Sequence, residues 1–271
     1  MITSVSTEVE GHGAGATAGS DCLAIETRDV HKAFGPHRVL RGVDLRIPEG
    51  TTAVVLGPSG TGKSVLIKHV IGLLAPDRGE VLVHDRSLSR MSSSEVLGLR
   101  RDIGVMFQDG ALFSSMTVFD NVAFPLRQHT DLPDSTIREV AAEHLQAVGL
   151  WNARDRMPNE LSGGMKKRAG LARALALDPG ILLCDEPDSG LDPVRTALLG
   201  ELLRERHEEL GGTVVVVTHN IALAKLVAEH VSLLWQGRIV SSGPAEEAFN
   251  SDDPFTRQFL AGQTAGPLGM D

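Results

Sequence analysis

From Leu23 onward the chain switches between two hydrophobic rhythms. "LAIETRDV" and "VDLRI" alternate apolar and polar positions as half-buried strands do, with "GPHR" as the turn between them. "TAVVLG" is apolar without interruption, which predicts a strand covered on both faces of a parallel sheet. "SVLIKHVIGLL" follows with helical spacing and runs to Pro76 and a turn at Gly79. "EVLVHD", "IGVMF", "GILLCD", "TVVVVTH" and "VSLLW" read as further strands. From about Gly110 to Pro179 strand patterns vanish and helical spacing takes over, clearest in "DSTIREVAAEHLQAVGL" with Asp134 or Ser135 as its cap. "PVRTALLGELLRERHEEL" is expected as a helix ended by Gly211 and Gly212, and "IALAKLVAEH" as another. The succession predicts an α/β core with a helical insertion between its two halves.

Composition narrows this picture. The formal charge of −9 argues against a general nucleic-acid binder, because phosphate backbones select basic surfaces. No stretch approaches the roughly 20 apolar residues needed to span a bilayer. Residues 1–22 are rich in Gly, Ala, Ser and Thr and lack an apolar signal core, so a disordered extension is expected rather than a secretory signal. The main domain is expected over 23–250, with the helical subdomain at about 110–179, and 251–271 forms a short C-terminal tail. The chain is expected in the cytoplasm, reaching a membrane only through partners. Of the two cysteines, Cys184 lies in an apolar run and reads as buried and reduced, without a disulfide framework.

"GPSGTGKS", Gly57 to Ser64, has the G-x-x-x-x-G-K-[ST] spacing and sits between a strand and a helix. Its backbone N–H groups, from Gly57, Pro58, Ser59, Gly60, Thr61 and Gly62 on to Val65, suit a polyphosphate (Pro58 itself lends only shape), and the helix N-terminus adds partial positive charge. Lys63 would hold the β- and γ-phosphates, and the Ser64 hydroxyl would ligate Mg2+. In "ILLCDEPDSGLD", Asp185 ends an apolar strand, expected beside the phosphate-loop strand, where it would face Mg2+. Glu186 is placed as general base or water-orienting group, and His219, after "VVVVT", as a γ-phosphate contact.

"NELSGGMKKRAGLARALAL" opens a helix on Ser-Gly-Gly and carries Lys166, Lys167, Arg168 and Arg173. Ser162 alone reads as an N-cap and the cations as a solvated face. Taken together, "GPSGTGKS", Phe107–Gln108, "LSGGM", "ILLCDEP", "SGLD" and "TH" occur in an order that resembles the nucleotide-binding subunits of ABC transporters. The resemblance implies a P-loop NTPase, RecA-like core with an antiparallel β subdomain and an inserted α-helical subdomain. It further implies a head-to-tail dimer of two copies sandwiching two ATP molecules, each between one loop and the other copy's signature, Leu161, Ser162, Gly163, Gly164 and Met165. By the same resemblance Phe34 stacks on adenine, Gln108 senses Mg2+ and water, and Asp192 couples the two sites. Met165 stands where the family usually has glutamine, so a ribose-side contact is expected to be lost.

A finer resemblance, carried by "MFQDGALFSSMTVFDNVAFPL", "LSGGMKKRAGLARALALDP", "DEPDSGLDPVRT" and "RQFLAGQTAGPLGMD", is to the Mkl-like, Mce/Mla-type lipid importer ATPases. It implies integral permease and Mce-domain partners on the inner face of the cell membrane, a cargo of lipids, sterols or fatty acids, and a tail that contacts the partner ATPase. Residues 106–127 would meet the permease, with Phe113, Met116, Phe119 and Phe124 either contacting it or packing in the helical subdomain. The rivals are importers of amino acids or metals, a soluble ABC ATPase in repair or translation, and a P-loop kinase. Too little chain separates Ser64 from Leu161 for long coiled coils, only one cassette is present, and a kinase leaves "LSGGM" and "SGLD" without a role.

Overall fold

The structure, a computed structural model, describes residues 22–263 and 266–267. The expected N-terminal extension, apart from Cys22, lies outside the described residues. β1 (Leu23–Phe34) and β2 (His37–Pro48) form a long hairpin around Gly35. β3 (Thr52–Leu56) leads into α1 (Lys63–Val70), followed by β4 (Arg78–Val83), a short β5 (Arg86–Ser87), α2 (Ser93–Arg101) and β6 (Ile103–Met106). α3 (Val118–His129), α4 (Asp134–Ala147) and α5 (Gly163–Leu175) form the helical insertion, with no strand among them. The chain then runs through β7 (Ile181–Asp185), α6 (Pro193–Leu210), β8 (Thr213–Thr218), α7 (Ile221–Val227), β9 (His230–Trp235) and β10 (Arg238–Pro244) to α8 (Ala245–Phe249) and α9 (Pro254–Ala261).

Two sheets result. One is antiparallel, in the order β2-β1-β4-β5; the other is β10-β9-β3-β8-β7-β6, parallel except for the edge strand β10. The uninterrupted apolar runs are explained by burial on both faces. Alternate residues divide between two cores: Val54, Leu56, Leu182, Cys184, Val214 and Val216 join the helical insertion on one side. Ala53, Val55, Ile181, Leu183, Val215 and Val217 meet α1 and the antiparallel sheet on the other. A fully buried Val or Leu stabilises by about 1.5–3 kcal/mol, so each central strand fixes both layers at once. Cys184 is buried as expected, and burial pushes its thiol up to about 12.

Several expectations are corrected. β8 lies between β3 and β7, so the phosphate-loop strand and the Asp185 strand are not neighbours. α1 stops at Val70 because Gly72 turns left-handed (φ 67°) and the Leu73 and Leu74 N–H groups both fold back on the Lys68 carbonyl. α4 has no side-chain cap: Pro133 occupies the cap position, and Asp134, inside the helix, pairs with Arg138. α7 ends at Val227, where Ala228 is already extended.

Candidate functional site

At the C-terminal end of β3 the chain must turn under a neighbouring strand. A Cβ on Gly57 would stand 2.4 Å from the Leu234 carbonyl oxygen, so no other residue fits. Gly60 and Gly62 take φ values of 81° and 104°, and a Cβ on Gly62 would press on Val39 and Leu40 of β2 at 2.9 Å. Thr61 Oγ1 donates to the Pro58 carbonyl at 2.9 Å, closing the loop. Ser59 and Gly60 are exposed at its tip, and Lys63 opens α1 with Ser64 and Val65 behind it. The Lys63 ammonium is buried and curls back onto the loop, donating to the Gly57 and Pro58 carbonyls at 2.8 and 2.9 Å. It also lies 3.2 Å from Glu186 Oε1.

The parallel sheet brings three strand ends to this loop. Ser64 Oγ donates to Asp185 Oδ1 at 2.8 Å, although β8 runs between their strands. Asp185 is buried, and desolvation raises its pKa above the usual aspartate value, aided by the neighbouring Glu186 carboxylate and opposed by the Ser64 hydrogen bond and by Lys63. Glu186 follows with a left-handed φ of 43°, and its N–H donates to Val217 O at 2.9 Å. A non-glycine residue held there stores strain, a frequent feature of working sites. His219 Nδ1 is 3.6 Å from Glu186 Oε1. Gln108 Nε2 donates to Ser189 Oγ at 3.1 Å, so the segment after β6 also reaches this cluster. Nearby, Thr218 Oγ1 donates to the buried Asp188 carboxylate at 2.8 Å, a pair that sequence reasoning did not single out.

The other expected residues lie apart from the phosphate loop. Ser162 is the N-cap of α5, accepting from the Met165 N–H at 3.3 Å, and is exposed with Gly163. Leu161 is buried, and Met165 packs half-buried against the core. Asp192 caps α6 by accepting from the Arg195 N–H at 3.0 Å, a bond that lowers its pKa. Phe34, at the end of β1, is 46% exposed, with Lys32 Nζ 5.8 Å from its ring centroid. Most cations of α5 are not a solvated face. Lys167 is buried and donates to the Gln108 and Glu186 carbonyls, Arg168 to Val148 O, and Arg173 to Gly110 O and Ala111 O.

Comparison with known proteins decides the family. The ABC transporter family matches residues 40–189, from β2 through the acid pair to Ser189. The chain belongs to that family. The cassette is 50% identical over 248 residues to the probable ribonucleotide transport ATP-binding protein Mkl of Mycobacterium leprae, covering 92% of this chain and 72% of that one. It is 41% identical over 244 residues to the intermembrane phospholipid transport system ATP-binding protein MlaF of Escherichia coli, covering 90% and 91% of the two. A dimeric structure of the ATP-binding cassette MJ0796, in a post-hydrolysis state with ADP and Pi, matches with a TM-score of 0.75 at 33% identity, over 81% of this chain and 98% of that one. The cassette is thus an ATP-binding, ATP-hydrolysing subunit with the expected α/β core, antiparallel subdomain and helical insertion. No helix among the described residues is long and apolar enough to cross a membrane.

Proposed function

We propose that this cassette energises an ABC importer of lipids, sterols or fatty acids by hydrolysing ATP between two copies of itself. The convergence of Lys63, Ser64, Asp185, Glu186 and His219 carries the hydrolytic reading. ATP phosphates lie along the loop N–H groups and the start of α1, and Lys63 exchanges the Gly57 and Pro58 carbonyls for the β- and γ-phosphates. Glu186 orients a water and takes its proton as the oxygen bonds to the γ-phosphorus and the bond to ADP breaks. His219 contacts the γ-phosphate, and Phe34 stacks on adenine.

The donor set fits Mg2+: two hard oxygens, on Ser64 and Asp185, already 2.8 Å apart, in a buried place where desolvation of the carboxylate outweighs the pull of Lys63 and Lys68. Bound there, Mg2+ would neutralise charge on the β- and γ-phosphates. Gln108, exposed beside Ser189, would report on that side of the site. Ser162, Gly163 and Gly164 would close over the other copy's γ-phosphate, with Leu161 and Met165 fixing the segment, and Asp192 would couple the two sites.

The lipid reading is supported by the near full-length similarity to MlaF, an ATP-binding protein of intermembrane phospholipid transport, while Mkl is named for probable ribonucleotide transport. Permease subunits would dock on residues 106–127, Mce-domain proteins would complete the assembly, and the cassette would sit peripherally on the inner face of the membrane. Phe113, 44% exposed and packed on Phe124 with ring centroids 4.8 Å apart, supports the contact-surface expectation, while Phe119, packed against the core, supports the other. Purification from detergent extract should recover a permease with Mce-domain proteins and bound lipid. Recovery of a nucleotide, amino-acid or metal permease instead would refute the lipid assignment. Glu186→Gln should bind ATP and dimerise yet turn over at least about a hundredfold more slowly; normal turnover would remove Glu186 from its role.

A further inference from the structure

α5 is joined to the hydrolysis centre by a buried cation. Lys167 is 5% exposed, and its ammonium donates to the Gln108 carbonyl at 2.8 Å and the Glu186 carbonyl at 3.2 Å. The bonds continue around a closed circuit. Glu186 O also accepts the Ser189 N–H at 3.1 Å, and Ser189 Oγ accepts from Gln108 Nε2 at 3.1 Å. Lys167, Gln108, Ser189 and Glu186 therefore hold one another, with the ammonium as the member that supplies two donors.

The backbone around this circuit leaves no slack. A Cβ on Gly170 would stand 2.9 Å from the Gly110 Cα, and one on Gly110 would stand 2.7 Å from the Lys166 carbonyl oxygen. α5 thus lies directly on the segment that follows Gln108, with Arg173 donating to Gly110 O and Ala111 O a little further along. A buried ammonium needs compensation. Here Asp188, Asp109 and Glu186 partly offset the desolvation that lowers the pKa of Lys167. Lys167 also follows Ser162 by five residues, about 7.5 Å along the helix, so the signature and the Glu186 backbone share one rigid element.

We propose that Lys167 is a positioning residue for ATP hydrolysis, fixing the Glu186 and Gln108 backbones to the helix that carries Ser162 and so linking each copy's own centre to the segment it presents to the other copy. This rests on the assignment of Glu186 as the water-orienting base. The left-handed φ of 43° makes that dependence physical: a strained peptide keeps its direction only while its surroundings hold it.

The test compares Lys167→Met, Lys167→Gln and Lys167→Arg with Glu186→Gln, using the full chain and MgATP. Lys167→Met should lower kcat by about tenfold to a hundredfold, since misplacement by an ångström costs on that order. Binding of a fluorescent ATP analogue should stay within about twofold, because Lys63 and the loop amides remain. In nucleotide-free protein the Ser189 amide should exchange its hydrogen faster, a readout independent of turnover. Lys167→Arg should recover most of kcat, and Lys167→Gln, with one amide for two carbonyls, should fall between. Should Lys167→Met fail to fold, Lys167→Gln decides. A native kcat in the folded Met or Gln variant, with Glu186→Gln inactive, overturns the proposal and leaves the base assignment standing. Normal turnover by Glu186→Gln would instead overturn the reading beneath it. Equal losses of kcat and nucleotide binding would make Lys167 merely structural and also overturn the proposal.

Discussion

The phosphate loop and the signature segment are both glycine-rich starts of helices, yet their glycines answer different demands. Gly57 is dictated by a carbonyl oxygen that a Cβ would strike at 2.4 Å, and Gly62 by its φ of 104° and by Val39 and Leu40. A Cβ on Gly163 would meet nothing within 4 Å, and one on Gly164 only ordinary contacts at 3.6 Å with Arg195 and Leu191. Neither signature glycine has a positive φ. The fold requires the first set and has no use for the second. Residues that cost helix stability without serving their own chain point to a surface closed by something outside it, which is the place the signature holds in the proposed dimer.

The sharpest way to break this contrast is to charge each segment in turn. Ser162→Asp preserves the N-cap, since Asp and Ser cap about equally well, but in the proposed dimer it sets a carboxylate against the other copy's γ-phosphate. The variant should fold and bind ATP as a monomer while hydrolysis falls by about a hundredfold or more. Lys63→Ala, within the loop itself, should lose ATP binding outright in equilibrium titrations. If Ser162→Asp also lost monomer binding, the signature would act on its own chain's nucleotide and the contrast would collapse.

Smaller effects sharpen it. Gly170→Ala drives a methyl into the Gly110 backbone at 2.9 Å and should destabilise by about 1–3 kcal/mol in urea unfolding. Gly163→Ala has open space and should stabilise the free chain by up to about 1 kcal/mol, while slowing ATP turnover at least about tenfold. A variant that is more stable and less active would show that this glycine is kept for the partner. Equal stability losses in the two variants would show that it is kept for the fold.

Much of this was legible in the sequence because the relevant forces are local. Unbroken Val and Leu runs mark strands covered on both faces, and the Gly-x-x-x-x-Gly-Lys-Ser spacing works through backbone geometry alone. The helical insertion was visible as lost alternation. α2 was missed although "SSSE" contains its signal: Ser92 accepts from the Glu95 N–H while Glu95 caps the Ser92 N–H. The order of strands was not legible, since nothing in the "GILLCD" pattern says that β8 intervenes before β3. Lys167 was the larger surprise. Among Lys166, Lys167 and Arg168 a solvated face is the ordinary reading, and only tertiary packing turns one of the three inward onto two carbonyls.

Asp185 carries the same distinction within one side chain. Burial raises its pKa, so the folded chain holds this proton to higher pH than the unfolded chain does. Its contribution to stability is therefore present below the ordinary aspartate pKa of about 3.9 and is lost as pH rises through the folded value. Once ionised, the carboxylate is a cost to the nucleotide-free fold. Asp185→Asn keeps an oxygen to accept from Ser64 and removes that charge, so it should melt higher than the native protein at pH 7. The difference should shrink as pH falls through the raised folded pKa, where the native carboxyl regains its proton. Adding MgATP should reverse the order, because only the native carboxylate then gains a cation. If Asp185→Asn melts lower than the native protein at pH 7 without nucleotide, the carboxylate serves the fold itself, and Asp185 belongs with Gly57 rather than with Gly163.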